Sequence, residues 1–231
     1  MLILNYHRVG RPSPQARYRG MYVTPNLLAW HVFLLKARGR EFVTLTEGVR
    51  RGCGPNLVAL TFDDGYLDNL ELGLPVLKAA GVPATVYVVS DDVGKKNVVW
   101  PESGDRLASN LMTWDDLRRL QAEGWEVGSH AADHVHLARK TEEDQRTLIA
   151  RSWSSLKENL DREPTSFAYP YGSYNEKTLE VLTNLGCVAA VTIKSDGVNS
   201  SDTQVLELFR HPAKGYAVRH IFSALRLLWQ G

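Results

Sequence analysis

Several features are scarce or missing in the 231-residue sequence, and each absence excludes a class of protein. No apolar run approaches the roughly 20 residues of a membrane-spanning helix, so we expect a soluble chain. The 27 Lys and Arg residues are nearly balanced by 26 Asp and Glu residues, which leaves a formal net charge of +1. A chain with so little net charge has no strongly basic surface, so no nucleic-acid partner is expected.

The sequence also has few cysteines and no recognisable leader. Cys53 and Cys187 lie far apart without the spacing of a metal or redox motif, so free thiols and a single disulfide are both open. No charged segment followed by an apolar stretch stands at the start, so we expect no secretion signal in this sequence. Nothing in the composition indicates an obligate protein partner.

Short apolar runs rich in β-branched residues alternate with longer amphipathic segments along the sequence. This pattern is typical of strand and helix units around a mostly parallel sheet, and the length fits one α/β domain over residues 1–231. The predicted strands are 2–6, 41–44, 57–62, 84–89, 126–129, 166–168 and 187–192. The predicted helices are 26–37, 67–80, 114–123, 142–160, 175–185 and 219–228.

Two adjacent carboxylates follow the predicted strand 57–62, in the sequence TFDDGY at residues 61–66. Because neighbouring side chains of a strand point to opposite faces, only a turn, helped by Gly65, lets Asp63 and Asp64 face one cavity. Two such charges repel, and a divalent cation relieves the repulsion by binding one carboxylate and leaving the other as a base. An ordinary strand-to-helix turn is the alternative interpretation.

Three histidines follow the predicted strand 126–129, in the sequence GSHAADHVH at residues 128–136. His130 and His134 are four residues apart, so a turn between them can bring both imidazoles to one metal ion, and His136 is a further candidate. Two histidines and one carboxylate form an open ligand set that suits zinc or another first-row divalent ion in a catalytic site. Surface histidines at the start of a helix are the alternative.

An aromatic turn, FAYPYG at residues 167–172, follows a third predicted strand. Its proline and glycine make it stiff, and its backbone amides could bind an oxyanion. Plain turn chemistry with aromatic packing is the alternative. The polar stretch 90–111 also follows a strand, which in a barrel places it at the mouth where loops carry function, although it could be a surface excursion.

In this order and spacing, the three motifs resemble those of the polysaccharide deacetylases, also called carbohydrate esterase family 4 or the NodB-homology family. Within the family, LNYHRV at residues 4–9 and the FAYPYG turn resemble the branch that de-N-acetylates poly-β-1,6-N-acetylglucosamine. The resemblance covers essentially the whole chain and implies a single-domain, distorted (β/α)7 barrel. It also implies metal-dependent hydrolysis of N-acetyl groups from N-acetylglucosamine residues of an exopolysaccharide, with release of acetate.

The resemblance assigns a role to each matching residue. Asp63 is implied as the general base, and Asp64, His130 and His134 as the metal ligands. The backbone amide of Tyr171 is implied as the oxyanion donor. The implied cofactor is a divalent ion, with Zn²⁺ favoured and Co²⁺, Ni²⁺ or Fe²⁺ compatible with the same ligands.

The sequence departs from the family pattern at the third motif. Most members carry an arginine directly after its phenylalanine, where the arginine orients the base, but this chain has Ala168 there. We predict that Arg210, in the segment LFRHPA, supplies this cation. A surface arginine is the alternative.

The general acid is the second departure. Most members supply it from a C-terminal Leu-x-His segment, which neither His211 nor His220 matches convincingly. In the exopolysaccharide branch, a motif order resembling a circular permutation supplies the acid from the N-terminal strand. The resemblance therefore assigns this role to His7.

Substrate, partners and location stay open within this interpretation. The expected partner is a polysaccharide or oligosaccharide. Alternatives to the exopolysaccharide are chitin oligomers, peptidoglycan, O-acetylated xylan and a small or lipid-linked N-acetylated sugar, and a catalytically idle glycan-binding module is a further alternative. The family suggests an extracellular or cell-surface location, whereas the absence of a leader leaves the cytoplasm open.

Two further features bear on glycan and membrane contacts. Aromatic side chains near predicted strand ends could stack on sugar rings, and the candidates are Tyr6, Tyr66, Trp100, Trp114 and Tyr174. The apolar face of the predicted helix 219–228 could lie on a membrane surface, but closing the barrel is the favoured use.

Overall fold

Short strands and helices alternate along residues 1–100 and 109–213, the part of the chain that the computed structural model describes. The strands are β1 (Leu2–Tyr6), β2 (Arg8–Val9), β3 (Tyr22–Val23), β4 (Glu41–Val43), β5 (Leu57–Phe62), β6 (Thr85–Val88), β7 (Glu126–Ser129), β8 (Ser166–Ala168), β9 (Ala189–Val191) and β10 (His211–Pro212). The helices are α1 (Pro25–Lys36), α2 (Leu45–Arg50), α3 (Leu74–Ala79), α4 (Trp114–Ala122), α5 (Glu142–Asn159) and α6 (Glu176–Asn184).

Eight of these strands form one parallel sheet that curls into a half-barrel. Its order is β10, β1, β5, β6, β7, β8, β9, and β4 pairs with the first half of β5 while β6 pairs with the second half. β2 and β3 form a separate parallel pair. Because all eight strands run in one direction, their carboxyl ends meet at one end of the half-barrel, and loops at that end carry the function of such folds.

The segment leading into β10 connects the two edges of the sheet. Leu208 forms a parallel bridge with Val191 at the end of β9, and two residues of β10 pair with β1, beginning at Leu4 and His211. Between these contacts, the backbone amide of Arg210 donates to the carbonyl of Lys194, which follows β9. The interior is therefore closed on the side where Arg210 enters.

Side chains of β5 alternate between an outer and an inner layer, as the two-residue period of a strand requires. Phe62 and the alternate residues before it pack against the surrounding helices, whereas Ala59 belongs to the inner cluster. The same alternation brings Thr61 and Asp63 to the inner side, where both contact Arg210. The polar centre therefore continues the inner layer of the sheet.

The predicted fold class and all seven predicted strands are confirmed, with strand ends differing by at most two residues. The single predicted helix 67–80 is wrong, because the chain forms a wide π-helical turn over Asn69–Gly73 before α3 begins. Pro75 has no backbone N–H, so it cannot donate the hydrogen bond that a continuous α-helix would require at this position. The prediction also lacked α2, which has six residues, too few to show a helical period.

Three other expectations concern the whole molecule. Cys53 and Cys187 are both free thiols, so no disulfide joins them. Within residues 1–100 and 109–213, none of the helices combines the length and apolar character that a membrane span requires. The predicted helix 219–228 lies outside the described residues.

Candidate active site

The two adjacent carboxylates lie in a sharp turn at the carboxyl end of β5. Asp64 and Gly65 both adopt left-handed backbone conformations, with φ of 78° and 75°. A side chain at Gly65 would place its Cβ 2.9 Å from Cγ1 of Val88, so only glycine fits there. The turn lets Asp63 and Asp64 line the same cavity, although neighbouring residues of a strand would face opposite ways.

The two histidines approach from the end of β7. The backbone amide of His130 donates to the carbonyl of Val88, and Ala131 then turns the chain with a φ of 62°. Nδ1 of His130 lies 2.7 Å from the carbonyl oxygen of Ala168. Because a carbonyl can only accept, Nδ1 carries the proton and Nε2 is left as a metal-ligating atom.

Asp64, His130 and His134 form a buried group whose donor atoms fit one metal ion. Oδ1 of Asp64 lies 3.4 Å from Nε2 of His130 and 3.3 Å from Nε2 of His134, and the ligand atoms lie within 4.8 Å of one another. Ligands bonded at about 2.0–2.1 Å to one ion lie about 2.8–3.4 Å apart if neighbouring bonds are near 90–109°. Two imidazoles and one carboxylate also suit a first-row divalent ion.

The Asp64 carboxylate is ionised in this group. Burial by itself would raise the pKa of Asp64, but the neighbouring imidazoles of His130 and His134 hold that pKa well below its ordinary value. An ionised carboxylate beside imidazole nitrogens is the charge state that a divalent cation requires.

Asp63 has a different partner, the guanidinium of Arg210. Nη1 and Nη2 of Arg210 donate to the two carboxylate oxygens at 2.6 and 2.8 Å, in a bidentate pair. Arg210 is 1% exposed and is itself fixed by the carbonyl of Thr192 at 2.9 Å and the hydroxyl of Thr61 at 3.2 Å. Burial would raise the pKa of Asp63, but the charge and hydrogen bonds of Arg210 more than offset this, so the pKa is lowered.

Arg210 thus contacts Asp63, as the sequence predicted, and Ala168 contributes its carbonyl to the contact with His130. The role of orienting a base stays a prediction. The sequence could supply Arg210 as a candidate because a cation was missing from the third motif. Only the segment between β9 and β10, which pairs with β9 and with β1, brings Arg210 to Asp63.

His7 lies in the one-residue gap between β1 and β2 and lines the cavity. Its Nε2 is 3.9 Å from Oδ2 of Asp63, and its side chain is 28% exposed. The alternative acid, His211, is buried, with its ring against the carbonyl of Gly197, and burial lowers its pKa. Of these two histidines only His7 opens into the cavity, and His220 lies outside the described residues.

The third motif forms a tight turn beside the histidines. Tyr171 has a left-handed backbone, with φ of 56°, and its hydroxyl lies 2.9 Å from Nδ1 of His134. His136, the further candidate ligand, stacks on the Tyr171 ring with 4.3 Å between ring centroids and is not part of the donor group among the described residues. The predicted use of the Tyr171 backbone amide stays a prediction.

One cavity of about 250 Å³ is lined by six of these residues, namely His7, Asp63, Asp64, His130, His134 and Tyr171. Of the predicted stacking residues, Tyr66 and Trp100 line it. The prediction is wrong for the other three at this cavity. Tyr6 alternates to the outer layer and bonds His31, Trp114 packs against the outer core at the start of α4, and Tyr174 stacks on another tyrosine. Proximity to a strand end does not determine which way a ring points.

Further wall residues were missed by sequence reasoning. They come from β1, from β2 through β3, from the long stretch after β6 and from the ends of β8 and β9, and are Asn5, Arg8, Tyr18, Met21, Tyr22, Val98, Ser109, Tyr169 and Ile193. Tyr169 stood within the quoted third motif and could have been included. Asn5 and Arg8 likewise stood within the quoted stretch LNYHRV. The polar stretch 90–111 was expected at the mouth, and both of its described flanks line the cavity.

A parallel half-barrel with an open Asp–His–His donor group and a second buried carboxylate at its carboxyl end is the arrangement of a hydrolytic enzyme. A model of the family described as polysaccharide deacetylase matches residues 51–190, a span that includes all three motifs. The chain belongs to the polysaccharide deacetylase family, as the sequence motifs predicted.

Relatives of this chain extend beyond it. YxkH of Bacillus subtilis, whose name refers to the polysaccharide deacetylases, is 30% identical over 153 residues, which cover 66% of this chain and 50% of that protein. The poly-β-1,6-N-acetyl-D-glucosamine N-deacetylase of Staphylococcus aureus is 25% identical over 226 residues, covering 87% of this chain and 75% of that protein. The chain thus spans half the length of the first relative and three quarters of the second.

Solved structures show the same fold. The Streptococcus pyogenes deacetylase PplD, in complex with acetate, superposes with a TM-score of 0.82 at 25% identity and covers 97% of both chains. IcaB from Ammonifex degensii gives a TM-score of 0.80 at 25% identity, covering 100% of this chain and 97% of that one. These similarities support the distorted barrel that the sequence predicted.

Proposed function

We propose that the protein hydrolyses N-acetyl groups on N-acetylglucosamine residues of an exopolysaccharide, with poly-β-1,6-N-acetylglucosamine as the favoured substrate, and releases acetate. The proposal rests on one observation, that the two adjacent carboxylates have different partners. Asp64 faces two imidazoles, whereas Asp63 is held by an arginine. The named activity of the Staphylococcus aureus relative supports the choice of substrate.

Asp64, His130 and His134 would hold the metal ion, for which Zn²⁺ is favoured and Co²⁺, Ni²⁺ or Fe²⁺ are alternatives. When bound, such an ion polarises a carbonyl and lowers the pKa of a water molecule. The protonated Nδ1 of His130, fixed on the carbonyl of Ala168, keeps the other ring nitrogen available for the ion.

Asp63 accepts the proton of the attacking water. Its lowered pKa keeps it ionised, and the bidentate contact with Arg210 fixes the plane of its carboxylate. A base that cannot rotate is presented in one orientation to every water molecule, which removes an entropic cost from the reaction.

His7 donates a proton to the departing nitrogen, and the backbone amide of Tyr171 binds the oxygen that becomes negative. An amide needs the proton donor because an unprotonated amine is a very poor leaving group. His7 suits this task because its ring is partly exposed at the mouth and lies 3.9 Å from Asp63, so that acid and base face the same small volume.

The cavity wall favours an uncharged sugar. Apart from the reacting groups, Arg8 is the charged side chain that lines the described cavity, and its guanidinium is paired with Asp68 at 2.9 Å. The rings of Tyr66 and Trp100 offer apolar faces on which a sugar ring can stack. A polymer of this kind lies outside the cytoplasm, so we propose an extracellular or cell-surface location, which fractionation of the producing cells tests.

Acetate release from defined glycans tests the proposed function. We expect release from β-1,6-linked N-acetylglucosamine oligomers, loss of release after chelation, and recovery when Zn²⁺ or Co²⁺ is restored. The Asp63→Asn variant should bind the metal normally and release no acetate. β-1,4-linked chitin oligomers, peptidoglycan, acetylated xylan and monomeric N-acetylglucosamine form the comparison panel, and faster release from any of these would replace the favoured substrate.

Glycan binding without any acetate release, with metal bound, would instead identify an idle binding module. The missing arginine of the third motif was the sequence feature in favour of that alternative. The contact of Arg210 with Asp63 weakens it, because a cation occupies the position beside the base after all.

A further inference from the structure

The ring of His7 is placed by the backbone that carries it. Within the described residues the ring makes no hydrogen bond, and its separation of 3.9 Å from Asp63 exceeds hydrogen-bond length. A partly exposed ring without such a bond can move unless the adjoining backbone is fixed. The contacts of residues 7–9 therefore set the position from which the ring enters the cavity.

Two side chains of the turn after the carboxylate pair fix that backbone. Nδ2 of Asn69 donates to the carbonyl of His7 at 2.8 Å. Oδ1 of Asp68 accepts from the backbone amide of Val9, and Oδ2 accepts from Nε of Arg8, both at 2.9 Å. Three consecutive residues are thus held by two neighbouring side chains.

We call Asp68 and Asn69, which bind the chain at residues 7–9, the clamp. Neighbouring residues support the clamp from both sides. The guanidinium of Arg8 lies 4.3 Å from the ring centroid of Tyr66 and 5.0 Å from that of Tyr22. On the other side, Gly73 lies so close to Val9 that an added Cβ would be 3.3 Å from Cγ2 of Val9. Asn69 is completely buried, so its bond to the His7 carbonyl is shielded from water.

The clamp and the carboxylates belong to one short stretch of chain. Asp68 and Asn69 come shortly after Asp63 and Asp64, at the start of the wide turn over Asn69–Gly73. Departures from α-helical geometry of this kind frequently occur at functional sites. Because one short stretch of chain carries both the carboxylate pair and these two side chains, it links the position of His7 to that of Asp63.

We propose that Asp68 and Asn69 are positioning residues that hold the His7 ring at the mouth of the cavity. The inference rests on the proposed function, in which His7 is the proton donor. Asn69 acts through the His7 carbonyl, and Asp68 acts through Arg8 and Val9. Neither residue touches the reacting atoms.

A double-mutant cycle between Asn69→Ala and His7→Ala tests the inference with a β-1,6-linked N-acetylglucosamine oligomer as substrate. We expect Asn69→Ala to lower kcat about 10-fold in the wild-type background, because small misplacements of a catalytic group cost up to about 100-fold. In the His7→Ala background the same change should lower kcat less than about 2-fold, since the group that it positions is gone. Zinc affinity should stay unchanged in all variants.

Gln145→Ala is the matched control. Gln145 is also a buried amide that bonds a backbone carbonyl, but it belongs to α5 and its side chain faces α6, away from the cavity. The Gln145→Ala variant should lose about as much thermal stability as Asn69→Ala, and its folded protein should keep the wild-type kcat. If Asn69→Ala does not fold, Asp68→Asn, which keeps the size of the side chain, replaces it in the cycle.

Proton NMR of the metal-free protein gives a readout that is independent of activity. The His7 Cε1–H resonance is assigned by its loss in His7→Ala, and we expect it to shift and broaden in Asn69→Ala but not in the control. Equal fold losses in both backgrounds, or an unchanged His7 resonance, would overturn the positioning role. Full activity of His7→Ala itself would instead refute the proposed acid, so the two failures are distinguishable.

Discussion

Replacing Arg210 by Met should test the most buried charge pair of the site. The substitution keeps much of the side-chain volume and removes the cation from Asp63. Both partners are almost inaccessible, at 1% and 3% exposure, and the guanidinium makes four hydrogen bonds, two of them to the carboxylate. The variant therefore leaves a carboxylate buried without its counter-ion.

The expected loss is large. Removing one partner of a buried ion pair destabilises a protein by about 3–5 kcal/mol, because the remaining charge is uncompensated. For a chain of this size, each kcal/mol lowers Tm by roughly 2–4 °C, so we expect a fall of roughly 6–20 °C.

The pH dependence follows from the two states of Asp63. In the wild type its pKa is lowered in the folded state, so the pair contributes stability above the ordinary pKa of 3.8 that is lost as pH falls through the folded value. Without Arg210, burial raises the pKa of Asp63, and the variant loses stability as pH rises through the ordinary value. The Tm difference between the two proteins should be greatest at neutral pH and should shrink toward about pH 4.

Thermal unfolding followed by circular dichroism from pH 4 to 8 measures this difference in Tm. The pH profile of kcat/KM measures the titration of the proposed base, Asp63. The acid limb of that profile should move to higher pH in Arg210→Met. The matched control is Arg51→Met, which removes an exposed bidentate pair with Glu41 at 2.6 and 2.7 Å and should change Tm little. Equal effects of the two substitutions at neutral pH, or a pH-independent loss in Arg210→Met, would refute the reasoning.

Three further substitutions probe the other parts of the site. His7→Ala should lower kcat about 10²- to 10⁴-fold with unchanged metal content by elemental analysis, and full activity would exclude His7 as the acid. His134→Ala should weaken zinc binding by more than about 100-fold in a competition titration, since even outer partners of metal ligands contribute about 10- to 100-fold; unchanged affinity would remove it from the ligand set. Gly65→Ala should destabilise the fold by about 1–3 kcal/mol, because of its positive φ and the clash with Val88, whereas Gly81→Ala, with open space around it, should lose less in the same denaturant titration.

Local patterns in the sequence were sufficient to predict the framework of this site. The apolar run of β5 defines a strand, and its two-residue period places Asp63 on the inner side once the outer residues are assigned to the helices. His130 and His134 were predictable as a pair because their spacing has a chemical meaning in a turn. In each case the signal is a property of consecutive residues.

The clamp and the cavity walls could not be predicted in this way. Arg8 and Tyr22 meet at the cavity through a two-residue pairing of β2 with β3, which is too short to leave a period in the sequence. The wide turn after Asp68 depends on a proline and on packing against Val9, so a helical pattern alone predicted one continuous helix. Contacts between distant segments determine these features.

Strand register explains why Asp63 has one buried neighbour, Arg210, and one partly exposed neighbour, His7. β1 lies between β5 and β10, and its pairing of Tyr6 with Phe62 brings His7 level with Asp63 at the mouth. β10 pairs His211 with Leu4, so Arg210 starts deeper in the interior and needs a long side chain to reach the same carboxylate. The arginine is consequently sealed from water, and the histidine remains partly exposed. In the proposed reaction, a substrate that enters from the mouth would reach His7, and we expect Arg210 to keep its contact with Asp63.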